Sequence, residues 1–157
     1  MSDIIFNLAS KEDIDELISL RMDYIEADFK EYGVDKKEVI EKELPSYFER
    51  KLGNDLFAFV ARENGKIIAT AYLLVIEKIP NPSLPSGLDG EVLSVFTKEE
   101  YRNQGISTRL LKNLIDFAKE KKLCRIQLKA TGSGYPIYNK LGFKEFGLKY
   151  KNMQLKL

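Results

Sequence analysis

Histidine is absent from the 157-residue chain, and cysteine occurs once, at Cys124. Without histidine, neither Ser-His-Asp nor Cys-His catalysis can operate, so Glu, Asp, Tyr, Lys and backbone groups remain to move protons and stabilise charge. A lone cysteine forms no internal disulfide, and with no Cys or His partner it makes a poor metal ligand; no metal site is expected. Long apolar runs are missing too, since none approaches the roughly 18 residues that a membrane span requires. The first residues, MSDIIFNLASKED, carry acids early and lack the basic, apolar and small-residue succession of a secretory signal. These absences predict a cytoplasmic protein with no membrane association. Neither GxxxxGK[ST] nor GxGxxG occurs, which sets aside the P-loop and the Rossmann turn.

What is present suits one domain over residues 1–157: the hydrophobic fraction is 44% and the charged fraction 31%, as in globular proteins. A net charge of +1 hides an asymmetry. Between Lys11 and Arg50 there are 13 acids against 7 bases, a net of −6; from Lys98 onward, 14 bases against 5 acids, a net of +9. The split points to a cationic partner on one side and an anionic one on the other, or to solvated faces that differ in sign. The basic half is dispersed and contains no nucleic-acid module, so no nucleic-acid partner is expected.

Residues 3–8 read as a strand, and Ser10 with Asp13 as the start of a helix whose stripe is Ile14, Leu17, Ile18, Met22, Ile25 and Phe29. A second helix is predicted over residues 35–52, with Val39, Ile40, Leu44, Phe48 and Leu52 inward and Pro45 kinking or restarting it. Residues 57–62 and 66–77 read as strands joined through Asn64-Gly65, the strongest short-range hairpin signal. Residues 80–90 hold three of the five prolines and read as a surface connector, with a substrate-facing flap as the alternative. Further on, the pattern gives a strand to Thr97, a helix to about Lys122, a strand over 125–130, a short helix over 135–141, and two closing strands at 143–146 and 150–157. The predicted order is β-α-α-β-β-β-α-β-α-β-β, an α/β fold with a mixed sheet flanked by helices.

The chain is organised around EVLSVFTKEEYRNQGISTRLL, from Glu91 to Leu111. A strand here meets a polar loop bearing Gly105, and the loop opens into an amphipathic helix. Free backbone N–H groups and the positive end of the helix dipole converge at such a junction, making an anion site suited to phosphate. Taken alone, Arg102-x-x-Gly105-x-Ser107 also fits an ordinary capped turn.

With Tyr138-Asn139-Lys140-Leu141-Gly142-Phe143 downstream, the chain resembles the GNAT superfamily of acetyl-CoA-dependent N-acetyltransferases. The family loop is Arg/Gln-x-x-Gly-x-Gly/Ala and its second signature Tyr-x-x-x-Gly-Phe; Ser107 departs from the usual Gly or Ala but keeps a small side chain. The resemblance implies that backbone amides of Asn103, Gln104, Gly105, Ile106, Ser107 and Thr108 hold the pyrophosphate of coenzyme A, with Arg102 shaping the loop or adding charge. It implies that Val95, Phe96 and Thr97 bond the pantetheine arm, with an N–H near Val95 or Phe96 polarising the thioester carbonyl. Tyr138 would protonate the departing thiolate. Glu91, eleven positions before Arg102, resembles the glutamate base of histone-type members. Glu26, Asp28 and Glu31 fall where the family lines its acceptor pocket. The implied function is transfer of an acetyl group from acetyl-CoA to a small-molecule or peptide amine by direct attack in a ternary complex. A non-catalytic acyl-CoA-binding regulatory module on the same fold is the alternative, and a homodimer is left open.

Overall fold

A computed structural model describes residues 2–147 and 149–157. Strands β1 (Ile4–Leu8), β2 (Leu56–Glu63), β3 (Lys66–Glu77), β4 (Leu88–Thr97) and β5 (Arg125–Gln127) form one sheet in chain order. The first three pairings are antiparallel and β4–β5 is parallel. Helices α1 (Ile14–Asp28) and α2 (Val34–Lys51) lie between β1 and β2, α3 (Ile106–Glu120) crosses from β4 to β5, and α4 (Tyr135–Lys140) follows β5.

Side chains alternate across a strand, so each face of the sheet builds its own core. Ala69, Ala71, Leu73 and Val92 pack with Leu110, Leu111 and Leu114 of α3. On the other face Tyr72, and Ile67 beyond the register shift in the β2–β3 pairing, pack with Leu17 and Leu20 of α1 and Phe48 of α2. The β2–β3 hairpin turns as expected at Asn64 (φ 51°) and Gly65 (φ 79°), both in the left-handed region that a type I′ turn demands.

Several sequence expectations need correction. Pro45 does not restart α2, which runs as one helix from Val34 to Lys51 with the proline inside it. Val39 and Phe29 are exposed rather than inward, so the two helices bury narrower stripes than periodicity alone suggests. The β4 strand begins at Leu88, inside the presumed connector, because its first residues pair with Val75, Ile76 and Glu77 of β3. The two closing strands do not form: among the described residues, 143–147 and 149–157 carry no strand. Their alternating pattern is present, but they are not paired with the sheet, whose last strand is β5.

Two features shape the open side of the sheet. Thr70 pairs with Phe96 but Tyr72 pairs with Leu93, so β4 carries one extra residue. This is a β-bulge, with Ser94 at φ 51° and its carbonyl accepting a 3.0 Å hydrogen bond from the buried Thr70 hydroxyl. In addition, the β4–β5 pairing covers only Asp89, Gly90 and Glu91 against Arg125, Ile126 and Gln127. Beyond it the parallel strands part. At the paired end, the buried Asp89 carboxylate accepts hydrogen bonds from Lys78 (2.8 Å) and from Arg125 (3.2 and 3.1 Å), tying together β3, β4 and β5.

Candidate functional site

The gap left by the parting of β4 and β5 is a cavity of about 640 Å³. Strand β4 contributes Val95, Phe96 and Thr97, the following loop Arg102, Asn103 and Gly105, helix α3 its first residues Ile106, Ser107 and Thr108, and helix α4 Tyr138. These are nine of the ten sequence-predicted cofactor residues and the predicted acid, gathered around one space. Gln104 is the exception. It is exposed and does not line the cavity, and its side-chain amide donates to the Glu100 carbonyl at 3.4 Å.

The loop's conformation follows from its residues. Asn103 (φ 61°) and Gly105 (φ 75°) both adopt the left-handed region, which glycine enters without steric cost and asparagine tolerates. A Cβ built on Gly105 would meet nothing within 4 Å of the protein. The first helical bond of α3 runs from the Arg109 N–H to the Gly105 carbonyl at 3.1 Å, so the amides of Ile106, Ser107 and Thr108 precede the ladder. No side chain caps the helix. The Ser107 hydroxyl instead pairs with that of Thr97 at 2.8 Å, fastening the end of β4 to the start of α3. Arg102 donates from Nε to the Thr97 carbonyl at 3.0 Å and so braces the same corner. The arrangement is a rigid, uncapped helix N-terminus with amides facing a cavity, which fits a pyrophosphate.

Across the cavity, α4 is built around Tyr138. Gly142 (φ 98°) reverses the chain, the Phe143 N–H donates to the Tyr138 carbonyl at 3.0 Å, and the Phe143 ring meets the Tyr138 ring edge-on at 5.9 Å. A Cβ at Gly134 would stand 2.8 Å from the Tyr138 ring, so the glycine makes room for the phenol. Burial, aided by the neighbouring Tyr24, raises the Tyr138 pKa above its ordinary value. Among the described residues its hydroxyl has no hydrogen-bond partner.

The predicted base, Glu91, and the carboxylates expected at the acceptor pocket lie outside this cavity. Glu91 stands opposite Leu74, half-buried. Since Val92 faces α3, Glu91 faces the α1/α2 side, together with Leu93. Between Leu74 and Thr70, the partner of Phe96, lie four steps of β3, or about 13 Å. Glu26 is exposed and paired with Lys37 at 3.1 Å; Asp28 and Glu31 are exposed at and beyond the end of α1.

Sequence reasoning missed several neighbours. Tyr24 of α1 meets the Phe96 ring edge-on at 6.5 Å, with the Arg21 guanidinium 5.2 Å from its own ring. Burial, and then the charge of Asp28, raises the Tyr24 pKa. Tyr24 falls off the apolar stripe of α1, so periodicity does not announce it. The turn Thr131, Ser133 and Gly134 also lines the cavity, held by the Gly134 N–H donating to the Thr131 hydroxyl at 3.2 Å. No His/Cys/Asp/Glu cluster able to hold a metal occurs among the described residues.

The sequence model of the acetyltransferase (GNAT) family matches residues 15–143. No curated protein matches the chain. Among solved structures, a "predicted acetyltransferase" with acetyl-CoA from Clostridium acetobutylicum is 32% identical, with 97% of this chain and 96% of that one covered at a TM-score of 0.85. A GCN5-related N-acetyltransferase from Ralstonia eutropha JMP134 is 20% identical, with coverages of 96% and 99% and a TM-score of 0.80. An aminoglycoside N-acetyltransferase in complex with CoA is 14% identical, with coverages of 98% and 96% and a TM-score of 0.74. The last two share the fold.

Proposed function

From the premise that this chain belongs to the GNAT family of acetyltransferases, we propose that it moves an acetyl group from acetyl-CoA to a primary amine by direct attack in a ternary complex. The observation that carries the proposal is the cavity between β4 and α4, with uncapped helix amides at one end and the Tyr138 phenol at the other. The amides of Asn103, Gly105, Ile106, Ser107 and Thr108 bind the pyrophosphate, using the positive helix terminus where other enzymes use a metal ion. The bulge at Ser94 releases β4 backbone from regular pairing, leaving an N–H near Val95 or Phe96 for the thioester carbonyl. The amine nitrogen forms its bond to that carbonyl carbon as the carbon–sulfur bond breaks, and Tyr138 donates its proton to the departing thiolate.

The amine must lose a proton to react. Glu91 is the base we assign, and its distance from Phe96 requires water to relay the proton. The acceptor enters from the α1/α2 side, where Glu26, Asp28 and Glu31 add to an acidic layer that attracts a cation.

The test is acetyl-CoA turnover over a panel of amines, read by released thiol, for the wild type and Tyr138→Phe. A loss in kcat of about 10²–10⁴-fold with coenzyme A affinity intact is expected for a general acid. Binding of acetyl-CoA without turnover on any amine would replace the enzyme with a ligand-sensing module.

A further inference from the structure

The face of the sheet that Glu91 shares with α1 and α2 holds polar groups that neither the fold nor the transfer step uses. Tyr72 of β3 is 4% exposed and packs edge-on to the Phe48 ring at 6.0 Å, and its hydroxyl has no hydrogen-bond partner among the described residues. A phenol buried in this way costs stability that a phenylalanine would not. Its place is central. Leu74, opposite Glu91, and Thr70, opposite Phe96, each lie two steps along β3 from it, about 7 Å. Tyr72 thus stands midway between the assigned base and the part of β4 that meets the thioester.

Arg21 is the second such group. It follows Leu17 by four positions and precedes Tyr24 by three, so helical spacing puts it between a core residue and the tyrosine that meets Phe96. Its side chain is half-buried and has no ion-pair partner among the described residues. The guanidinium stands 5.2 Å from the centre of the Tyr24 ring. Its charge also reaches the Tyr72 hydroxyl, where it opposes the upward pull of burial on the pKa. An unpaired, partly desolvated guanidinium beside a hydroxyl that lacks a partner is a receptor for a planar anion.

We propose that the acetyl acceptor is an amino acid, whose carboxylate binds Arg21 with the Tyr72 hydroxyl as a second donor while its amine lies toward Glu91 and the thioester. The inference rests on the acetyltransferase reading and names the substrate class of that same site. One guanidinium and a neutral phenol balance the single charge of a carboxylate; a phosphate monoester, at about −1.5 to −2, would be left under-compensated. Glu26, Asp28 and Glu31, exposed at the end of α1, then act on the approach by drawing in the ammonium end. The two signs of charge on this side serve the two ends of a zwitterion.

The test is kcat/KM at saturating acetyl-CoA for a panel of α-amino acids, their carboxamides and the amines left by their decarboxylation, read by released thiol. An amino acid should exceed both of its matched partners about 10- to 100-fold, the worth of one charge-assisted hydrogen bond. Basicity cannot produce that preference, since the carboxamide has the more readily deprotonated amine. Arg21→Gln should bring the ratio of acid to carboxamide close to one, whatever it does to the absolute rates, and Arg21→Lys should restore part of it. A variant that merely loosened the fold would leave the ratio unmoved. Tyr72→Phe should raise the KM of the amino acid several-fold, with stability to denaturant equal or greater. Turnover of plain amines with no preference for the acid, a preference that survives Arg21→Gln, or faster turnover of a phosphate-bearing amine would each overturn the carboxylate site and leave the acetyltransferase standing. Acetyl-CoA binding with no turnover on any of these amines would overturn both.

Discussion

Tyr138 can donate a proton only while it is a phenol, and its surroundings keep it one. Burial disfavours the phenolate, so the pKa lies above the ordinary value near 10. A raised acid pKa extends the protonated window upward, so Tyr138 should impose no alkaline fall in kcat below about pH 10. A fall near neutral pH that disappears in Tyr138→Phe would contradict this. The residue was legible in the sequence because its support is local: Gly142 and Phe143 close the turn that holds it. Tyr24 was not legible, because its contact with Phe96 joins α1 to β4, segments far apart in the chain. Glu91 has its face of the sheet fixed by alternation, but its role depends on water and acceptor, which strand periodicity does not encode.

At the scale of the element, the β4–loop–α3 corner behaves as one piece. Thr97 is bonded both to Ser107 and to Arg102, so strand end and helix start move together. Gly105→Val places a branched side chain on a left-handed residue and into the space that the amides face. Acetyl-CoA affinity should fall about 5- to 30-fold, measured by calorimetry, corresponding to a cost of about 1–2 kcal/mol. Ser107, standing where the family usually has Gly or Ala, acquires a positive role here as the link to Thr97. The end of α1 makes a second test. Neutralising Glu26, Asp28 and Glu31 together should raise the amine KM and flatten its dependence on salt, since exposed charges act through a screened field. An unchanged KM would return these acids to an ordinary wet surface. Helix α3, the hairpin and the glycine loop were readable because each is specified by its own residues. The closing strands were misread because a strand also needs a partner edge, and an alternating pattern says nothing of which edge that is.

The whole molecule is two cores on one sheet, opened at one end of the β4–β5 seam and clamped at the other. Asp89 is the clamp. Burial alone would raise its pKa; hydrogen bonds from Arg125 and Lys78 outweigh that and hold it below the usual carboxylate value. A depressed pKa stabilises the fold above the unfolded value near 3.9, and the contribution drains away as pH falls through the folded value. Asp89→Asn should cost about 2 kcal/mol at neutral pH, with the penalty shrinking below about pH 4, as read from denaturant unfolding at a series of pH values. A penalty that persists unchanged into acid would assign the effect to packing. This triad was invisible beforehand, since Lys78, Asp89 and Arg125 come from three segments that only the sheet brings together.

The bulge at Ser94 has a consequence for how the activity could be switched off. Val92 and Val95 face α3 while Leu93 and Phe96 face α1 and α2, so removing Ser94 would leave a strand in flawless alternation. The one-codon deletion should therefore fold, with a regular ladder and no released amide, and fail to turn over acetyl-CoA. An active deletion variant would show the amide to be dispensable. On the proposed mechanism, the amide that meets the thioester is supplied by a phase slip of one residue, which the deletion removes.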